Sequence, residues 1–388
     1  MLLTLDGQPA SDLWPDSGFV HLNHGSYGRV PSATMAHQRA LQRQMEHGPM
    51  GFLARTAERI ALAREEIAPY LGVPAHTLAL VPNASAGVST ALRSLPLPTG
   101  SEVVVTDHAY GAVRMGVERT AREAGAQVVE ARVPLVADAR DSVEAVWSAV
   151  TDRTAMIVID HLTSGTARLL PVAEICARAR EHGILTIVDG AHVPLLLDEP
   201  LQGVEADVWV GNLHKFGATP RGTAVLVAHA SVADRLWPLI DSWAATDAYP
   251  QRFDLQGSQD YTAWLSAPWS LRHLDETIGW DRIRQHATLM ADLAVAQVSQ
   301  ALSERYPDEA SVAVGMSVGP IRLIGLPASV SVDPAQLRGR FLDAGVEAAF
   351  TTYGDRLFWR YSGHAYSTAA DIDAMIDRGL PLLGLTRG

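Results

Sequence analysis

The sequence predicts an α/β protein with a large domain on a mostly parallel β-sheet, covered by helices, and a smaller C-terminal α+β domain. Two observations predict this fold. Between about residues 100 and 230, short apolar runs that end in polar residues alternate with helical patterns. From about residue 286, a long helical pattern leads into a region of shorter strands and helices. Alternating strands and crossover helices are typical of parallel strands in a sheet covered on both faces.

The predicted strands of the large domain are SEVVVTD, AQVVEARV, TAMIVIDHLT, ILTIVDGAH, ADVWVGNLHK and GTAVLVAH. Helices are predicted from about Gly111 to Ala124 and over VAEICARAREHG. The C-terminal region begins with a helix from about His286, followed by strand-like SVAVGMSV, IRLIGL and DRLFWRYSG and by helical DPAQLRGRFLDAG and TAADIDAMIDRG. The expected organisation is an N-terminal segment (1–20), a large domain (21–284) and a small domain (285–388) that the N-terminal segment completes.

Composition excludes several classes of function. The chain has 388 residues, 47% of them hydrophobic and 19% charged, so it has the means to bury a substantial core. Its net charge is −12, and no basic stripe interrupts the acidic background, which argues against nucleic acid or an anionic membrane as partner. No apolar run approaches the roughly 20 residues needed to span a bilayer.

The N-terminus and the cysteine usage indicate a cytoplasmic location. The first residues, MLLTLDGQPASDLWPD, lack the basic and apolar regions of a signal peptide. The single cysteine, Cys176, forms no intrachain disulfide, which fits a reducing compartment. Because Cys176 lies in a helical pattern, it is interpreted as a small buried apolar residue.

One residue is singled out by its rarity. Of the 31 lysine and arginine residues, a single one, Lys215, is lysine. Arginine replaces lysine wherever only positive charge is needed, but its guanidinium stays protonated and forms no stable imine. A codon bias accounts for the excess of arginine, but it does not account for the position of the surviving lysine. Lys215 is therefore the candidate for amine chemistry.

Polar residues follow the predicted strands, where ligands of parallel sheets bind. His108 follows one strand, Asp189 ends another with His192 three residues on, and Lys215 follows a third together with His214. A helix also begins at the small-residue segment NASAGV, which offers backbone N–H groups and a helix dipole to a phosphate. Each of these features alone is commoner as an ordinary cap or core residue.

Together these residues match the needs of pyridoxal 5′-phosphate (PLP). The aldehyde of PLP requires an amine, which Lys215 supplies as a Schiff base. The pyridine nitrogen must stay protonated, and a buried carboxylate such as Asp189 stabilises that N–H⁺. The phosphate needs backbone donors, and the ring needs a stacking partner such as His108. The sequence therefore predicts a PLP-dependent enzyme that acts on an amino acid; no metal is expected.

These motifs resemble the class V branch of fold-type I PLP enzymes, and within it the isopenicillin N epimerase-like proteins. The similar segments run in family order over about residues 21–370. They are HLNHGSYG, NASAGV, DHAYGA, DHLTSGTARLLPV, VDGAH, NLHKFG, LQGSQDYTAWL and WRYSGHAYST.

The resemblance implies a role for each matching position. Lys215 resembles the Schiff-base lysine, Asp189 the pyridinium partner and His108 the residue stacked on the ring. Arg360 resembles the arginine that binds the substrate carboxylate bidentately. The other implied positions are Thr163, Ser164 and His192 near the ring hydroxyl; Ala84, Ser85, Asn212 and His214 around the phosphate; and Asn23, His24 and Tyr366 in the substrate pocket. A Gly-Ser pair of a second subunit reaches the phosphate in this family, and Gly257-Ser258 fits it, which implies a homodimer with shared active sites.

The sequence leaves the reaction open between three outcomes. One is β-elimination from an S-substituted cysteine, as in the Cβ–S lyases that resemble this family in natural-product pathways such as lincosamide tailoring. The others are epimerisation and a decarboxylation-type reaction. We favour β-elimination, because proteins named epimerases in this family outnumber the true epimerases. A cysteine desulfurase is disfavoured, since no cysteine lies near Arg360 in the sequence.

The sequence lacks the features of two other classes of function. A PLP-binding regulator requires a DNA-binding module, and the chain has no residues left over for one. A nicotinamide-dependent dehydrogenase calls for G-x-G-x-x-G after an early strand, and the sequence has no such run.

Overall fold

The computed structural model describes residues 1–307, 312–330 and 332–384. The chain forms two compact units. The large unit comprises residues 33–164 and 170–273, and the small unit comprises 1–32, 165–169 and 274–388. At the N-terminus the small unit thus includes residues 1–32, whereas the sequence suggested only 1–20. Its C-terminal part starts at residue 274 rather than at 285.

The strands agree closely with the alternation seen in the sequence. All six strands predicted for the large domain are present, as are those at IRLIGL and DRLFWRYSG. In the part of the chain that the structure describes, the strands are β1 (Val20–His21), β2 (Leu78–Val81), β3 (Glu102–Thr106), β4 (Gln127–Ala131), β5 (Thr154–Asp160), β6 (Leu185–Asp189), β7 (Val208–Asn212), β8 (Ala224–Ala228), β9 (Ile321–Gly325), β10 (Val346–Glu347), β11 (Ala349–Tyr353) and β12 (Arg356–Ser362).

Helices connect the strands, and further helices lie in the N-terminal and C-terminal parts of the chain. Among the described residues they are α1 (His24–Tyr27), α2 (Ser32–His47), α3 (Pro49–Ala54), α4 (Thr56–Ile67), α5 (Ala84–Ser94), α6 (Gly111–Ala124), α7 (Ala139–Trp147), α8 (Val172–Glu181), α9 (Ala230–Ala233), α10 (Thr262–Thr277), α11 (Trp280–Arg305), α12 (Pro334–Asp343), α13 (Ala369–Ala374) and α14 (Leu380–Leu382). A π-helical turn, Met375–Gly379, joins α13 to α14. None of the helices in the described residues is long and apolar enough to cross a membrane.

The large unit contains a seven-stranded sheet in the order β2-β8-β7-β6-β5-β3-β4. The five strands from β7 to β4 in this order pair in parallel, and β8 runs antiparallel to both of its neighbours. The predicted mostly parallel sheet is therefore confirmed. Since β2 and β7 are both antiparallel to β8, the carboxyl ends of β2, β7, β6, β5 and β3 lie at the same end of the sheet.

Glycine allows one helix to approach this sheet closely. The apolar face of α5 packs on the strands through residues such as Val88 and Ala91, in a core that also contains Val210 of β7. A Cβ atom at Gly87 would lie 2.7 Å from Cγ1 of Val210, nearer than carbon atoms pack. The absence of a side chain at Gly87 therefore sets the distance between α5 and β7.

The small unit has its own core around an antiparallel sheet in the order β11-β12-β9. The helix α11 packs on this sheet with Ala294 and Val298, and β1 pairs in parallel with β10. Leu22, which the sequence assigned to the large domain, belongs to this core. The expected α+β character of the small unit is confirmed.

Two predicted elements of the small unit differ from the structure. Residues 312–318 of the segment SVAVGMSV form no strand beyond a single bridge between Ser317 and Arg168, and residue 311 lies outside the described residues. Met316 has φ +55°, a left-handed conformation that interrupts an extended chain. The long helix begins at Trp280 instead of about His286, because its charged first turn hid the apolar periodicity.

A pair of glycine variants tests the packing of α5. We expect Gly87→Ala to destabilise the protein by about 1–3 kcal/mol, because the new methyl group overpacks against Val210. Gly116 lies inside α6, where a Cβ atom would meet Leu92 Cδ1 at an ordinary 3.6 Å. Gly116→Ala should therefore raise stability by up to about 1 kcal/mol through helix propensity. Thermal unfolding of both variants measures the difference; equal shifts of Tm would contradict it.

Candidate active site

The strand ends of the large unit bring most of the predicted cofactor residues to one end of the sheet. Asp189 is the last residue of β6, and Asn212 is the last residue of β7. His108 follows β3, and Lys215 follows β7 by three residues. Thr163, which is fully buried, follows β5. The parallel order of these strands therefore places a carboxylate, an amide, an amine and an imidazole in one region.

A tight turn holds Lys215 behind β7. The N–H of Ala218 donates to the carbonyl of Lys215 at 2.9 Å. Only glycine fits at position 217, because a Cβ atom there would lie 2.5 Å from the carbonyl oxygen of Leu213. The Nζ atom of Lys215 lies 2.9 Å from Nε2 of the buried His192. The amine is thus fixed by its own turn and by the imidazole that follows the neighbouring strand β6.

The side chain of Asn212 connects β7 to the beginning of α5. Its Oδ1 atom accepts a hydrogen bond from the N–H of Ala84 at 2.8 Å. Asn83 caps the same helix, because its Oδ1 accepts from the N–H of Ala86 at 2.8 Å. Ser85, the second residue of α5, is exposed. The positive end of the α5 dipole and the exposed Ser85 are suited to an anion.

His214 is held as a neutral imidazole. Its Nδ1–H donates to the carbonyl oxygen of Thr223 at 2.9 Å, since a carbonyl only accepts. Burial lowers the pKa of His214 to about 4, and the neighbouring charges of Lys215 and Arg221 act in the same direction. A phosphate group near the ring would oppose these effects and favour the protonated form.

His108 is oriented by the loop that follows β4. Its Nε2–H donates to the carbonyl of Val133 at 2.6 Å, and the N–H of Val133 donates to Oδ1 of Asp107 at 3.0 Å. The side chain of His108 is fully buried. Two bonds in opposite directions between the loops after β3 and β4 therefore fix the plane of this ring.

Asp160 lies at the same end of the sheet as Asp189 and Lys215, although the sequence patterns did not single it out. It is the last residue of β5, it is in register with Asp189 on β6, and both are 3% exposed. Burial raises the pKa of Asp160 well above its usual range, and the charge of Asp189 raises it further. Burial also raises the pKa of Asp189, opposed by the N–H of Ala191 and the charge of Lys215. Asp160 is thus the more easily protonated member of a buried carboxyl pair.

The signal for Asp160 was present in the sequence. Like Asp189, it is an acidic residue at the end of an apolar strand, in the segment IVIDHLT. His161 follows it and accepts a hydrogen bond at Nδ1 from Nε1–H of Trp209 at 3.2 Å. Burial lowers the pKa of His161 to about 4, so this ring is a neutral packing partner.

The remaining residues discussed for the large unit differ in their exposure to solvent. Ser164 is half-buried and follows Thr163. Gly257 and Ser258 are both exposed, in the loop before α10. Cys176 is buried in α8, and burial raises the pKa of its thiol to about 12, which leaves it unreactive.

The predicted substrate residues lie in the small unit. Arg360 in β12 is 6% exposed, and its Nη2 donates to Oδ1 of Asn23 at 3.0 Å and to Oγ of Ser26 at 2.8 Å. Ser26 was not singled out in the sequence. These two bonds to the oxygen atoms of neutral side chains orient the guanidinium.

An aromatic cluster in the small unit includes two residues that follow Arg360 in the chain, His364 and Tyr366. The Nδ1 of His24 is 3.0 Å from the hydroxyl of Tyr366, and the ring of His24 stacks on His364 with centroids 4.1 Å apart. Trp14 contacts His364 and Tyr366 edge to face. The sequence indicated His24 and Tyr366, whereas His364 and Trp14 emerge only from the packing.

Comparison with known proteins identifies the family. The profile described as "Aminotransferase class-V" matches residues 33–375. The chain belongs to the class V aminotransferase family. As a member of it, this class V protein is a PLP-dependent enzyme.

Similar proteins carry different activities in their names. "Isopenicillin N epimerase" of Streptomyces clavuligerus is 29% identical over 93% of this chain and 94% of its own length. "Putative L-cysteine desulfhydrase 1" of Oryza sativa subsp. japonica is 26% identical over 66% of this chain and 57% of its own length. The cystine C-S lyase C-DES, solved in complex with its reaction product cysteine persulfide, has the same fold, with TM-score 0.81 and 18% identity over 94% of this chain and 97% of that one.

The residues of the large unit fit PLP. They include an amine on Lys215, a buried carboxyl on Asp189 at the next strand end, and the beginning of α5 for an anion. The close approach of α5 to β7 at Gly87 holds that helix terminus beside the strand that leads to Lys215. These are the donor and acceptor types that an aldehyde, a pyridine nitrogen and a phosphate require.

Proposed function

We propose that this class V enzyme is a Cβ–S lyase, which eliminates a thiol from an S-substituted cysteine in natural-product biosynthesis such as lincosamide tailoring. The observation that carries the proposal is the contact of 2.9 Å between Lys215 Nζ and His192 Nε2. It places two proton-carrying groups next to each other. Elimination needs a proton removed from Cα and another delivered to sulfur on the neighbouring Cβ, which adjacent groups supply.

Residues of the large unit would hold the cofactor. Lys215 binds the aldehyde carbon, Asp189 pairs with the protonated pyridine nitrogen, and His108 stacks on the ring. Thr163, Ser164 and His192 lie near the ring hydroxyl, and Ala84, Ser85, Asn212 and His214 surround the phosphate. A cation against Asp189 favours its ionised form, which burial alone disfavours.

The reaction then depends on proton positions. Bound PLP supplies an electrophilic carbon and an aromatic ring that accepts electrons from Cα. Lys215 Nζ would take the proton from Cα as the general base. His192 exchanges a proton with Nζ and protonates the departing sulfur. Arg360 holds the substrate α-carboxylate through its planar guanidinium, with Asn23, His24 and Tyr366 around the substrate.

A second candidate function is epimerisation. It is favoured by the similarity over most of the chain to "Isopenicillin N epimerase" of Streptomyces clavuligerus. Epimerisation requires a proton delivered to the face of Cα opposite to the one that lost it, so it calls for a different arrangement of proton carriers. The names "L-cysteine desulfhydrase" of a relative and "cystine C-S lyase" of C-DES both refer to sulfur-containing amino acids, which supports the lyase.

Analysis of the products distinguishes the reactions. Holoenzyme incubated with S-substituted cysteines in deuterated water should release thiol, pyruvate and ammonia in equal amounts. Epimerisation gives no ammonia, and deuterium accumulates at Cα of both stereoisomers. Release of CO₂ without pyruvate indicates a decarboxylation-type reaction. Either of the last two results contradicts the lyase.

Borohydride reduction of the holoenzyme tests the role of Lys215. Because Lys215 is the only lysine, reduction should fix the cofactor on the peptide that contains residue 215. Lys215→Arg is the matched variant: it keeps the positive charge, but guanidinium forms no stable imine, so the label should be lost. Mass spectrometry of the reduced peptides provides the measurement. A label that survives in Lys215→Arg or Lys215→Ala refutes the assignment.

Arginine variants in β12 test binding of the carboxylate. Arg360→Lys keeps the charge but loses the two-point contact. We therefore expect kcat/KM to fall roughly 30- to 1000-fold, a loss of about 2–4 kcal/mol in transition-state stabilisation. Affinity for PLP should not change. Arg356→Lys in the same strand is the control and should retain kcat/KM within about threefold. Equal losses in both variants argue against the assignment.

We also propose a homodimer in which Gly257-Ser258 of one subunit reaches the cofactor phosphate of the other. Its support is an exposed apolar segment beside this loop: Ile240 is 55% exposed and Trp243 is 93% exposed. Cγ2 of Ile240 lies 4.0 Å from the position of a Cβ atom at Gly257. Exposed apolar patches of this kind mark protein interfaces.

Charged variants of the patch test the homodimer. Trp243→Arg should shift the protein from dimer to monomer at micromolar concentration, because it brings a charge into an apolar interface. PLP affinity should fall with it. Met115→Arg, at an apolar residue of α6 that is 71% exposed, is the control and should leave the mass unchanged. Light scattering gives the mass; a wild-type monomer that binds PLP with full activity refutes the dimer.

A further inference from the structure

The loop that carries Gly257 and Ser258 is exposed at its tip but ordered at its base. Residues 257–260, which lie just before α10, are exposed. Gly257 has φ +84°, in the left-handed region that favours glycine, so the loop makes its turn there. An exposed loop that serves only as a connection does not need such a defined shape.

A tyrosine hydroxyl and a carboxylate fix the two sides of this loop. The hydroxyl of the buried Tyr261 accepts from the N–H of Gln256 at 2.8 Å and donates to the carbonyl of Gly257 at 2.7 Å. Oδ1 of Asp260 accepts from the N–H of Thr262 at 2.8 Å. Oδ2 of Asp260 also accepts from Nε2 of Gln42 in α2 at 2.9 Å. The tip is therefore held by bonds within the loop and by one bond to α2.

A buried ion pair attaches the loop to the body of the large unit. Arg64 of α4 donates from Nη1 and Nη2 to the two carboxylate oxygens of Asp254 at 2.5 and 3.1 Å. Both side chains are 3% exposed. Burying two charges costs as much free energy as their attraction returns, and apolar replacement of such pairs is often neutral or stabilising. The planar two-point contact, however, fixes the orientation of Asp254, which an apolar contact does not.

We propose that Arg64 and Asp254 are positioning residues, which hold the 255–260 loop in the shape that binds the cofactor phosphate of a second copy of this chain. The inference rests on the homodimer proposed above and adds the device that makes its loop rigid. A loop already in its bound shape loses less conformational entropy when it meets the phosphate, so affinity rises without a new contact.

Variants of the ion pair separate positioning from stability. Arg64→Met/Asp254→Leu removes both charges together, so no buried charge is left unpaired, and we expect a folded dimer with Tm near that of the wild type. Titration of its apoprotein with PLP should give a Kd about 10- to 100-fold higher, since a loosened loop misplaces the phosphate donors. Arg153→Gln/Glu102→Gln, at the ion pair of Arg153 with Glu102, is the control and should keep the wild-type Kd.

A second variant loosens the loop without touching a charge. Tyr261→Phe removes the hydroxyl that joins Gln256 to Gly257, and it should raise the Kd for PLP about 3- to 10-fold. It decides the question if the double variant fails to fold. Wild-type affinity for PLP in the folded double variant, or in Tyr261→Phe, overturns the positioning role.

A hybrid dimer distinguishes two outcomes: the ion pair does not position the loop, or the loop does not reach the partner subunit. Co-expression under two tags pairs a Lys215→Ala subunit, which keeps an intact loop, with an Arg64→Met/Asp254→Leu subunit, which keeps Lys215. If the loop acts on the partner, the hybrid binds one PLP per dimer with wild-type Kd. A hybrid as weak as the double variant places the action of the loop within its own chain. That result, or the absence of any hybrid, contradicts the proposed homodimer.

Discussion

Because β5, β6 and β7 pair in parallel, their last residues come to one end of the sheet, and the remaining site depends on that pairing. Asp160 and Asp189 lie opposite each other in register, and the turn after β7 brings Lys215 against His192. Asn212 ties the end of β7 to the start of α5. A shift of one residue in any of these strands would turn the side chain at its end to the other face of the sheet.

The electrostatics of this region follow from burial. The two carboxyls share a dry environment with a single lysine amine, so ionisation of one raises the pKa of the other. The imidazoles of His161 and His214 are kept neutral by the same burial. A cofactor that brings a pyridinium and a phosphate adds charges of both signs to this region. In the proposed binding mode the cation would stabilise ionised Asp189, and the anion would meet the positive end of the helix dipole of α5.

Rigid backbone supports each reactive group. Gly87 lets α5 approach Val210, Gly217 lets the chain turn tightly after Lys215, and Gly257 gives the exposed loop its left-handed turn. The small unit orients Arg360 in a comparable way, with the oxygen atoms of Asn23 and Ser26 as acceptors. Fixed backbone and hydrogen-bonded side chains thus hold Lys215 and Arg360 in defined positions.

The sequence by itself determined the alternation of strands and helices in the large unit, the resemblance to the family and the choice of Lys215 as the candidate amine. Local patterns indicate these features: apolar runs end in polar residues, and Lys215 is a lysine in a chain that otherwise uses arginine in place of lysine. Only the tertiary structure decided that Asp160 stands beside Asp189, that Ser26 orients Arg360, and that Arg64 anchors the loop at Asp254. These pairs join residues 29, 334 and 190 positions apart, and no local pattern encodes them. Their cause is the register of strands and the packing of helices, which the chain acquires only on folding.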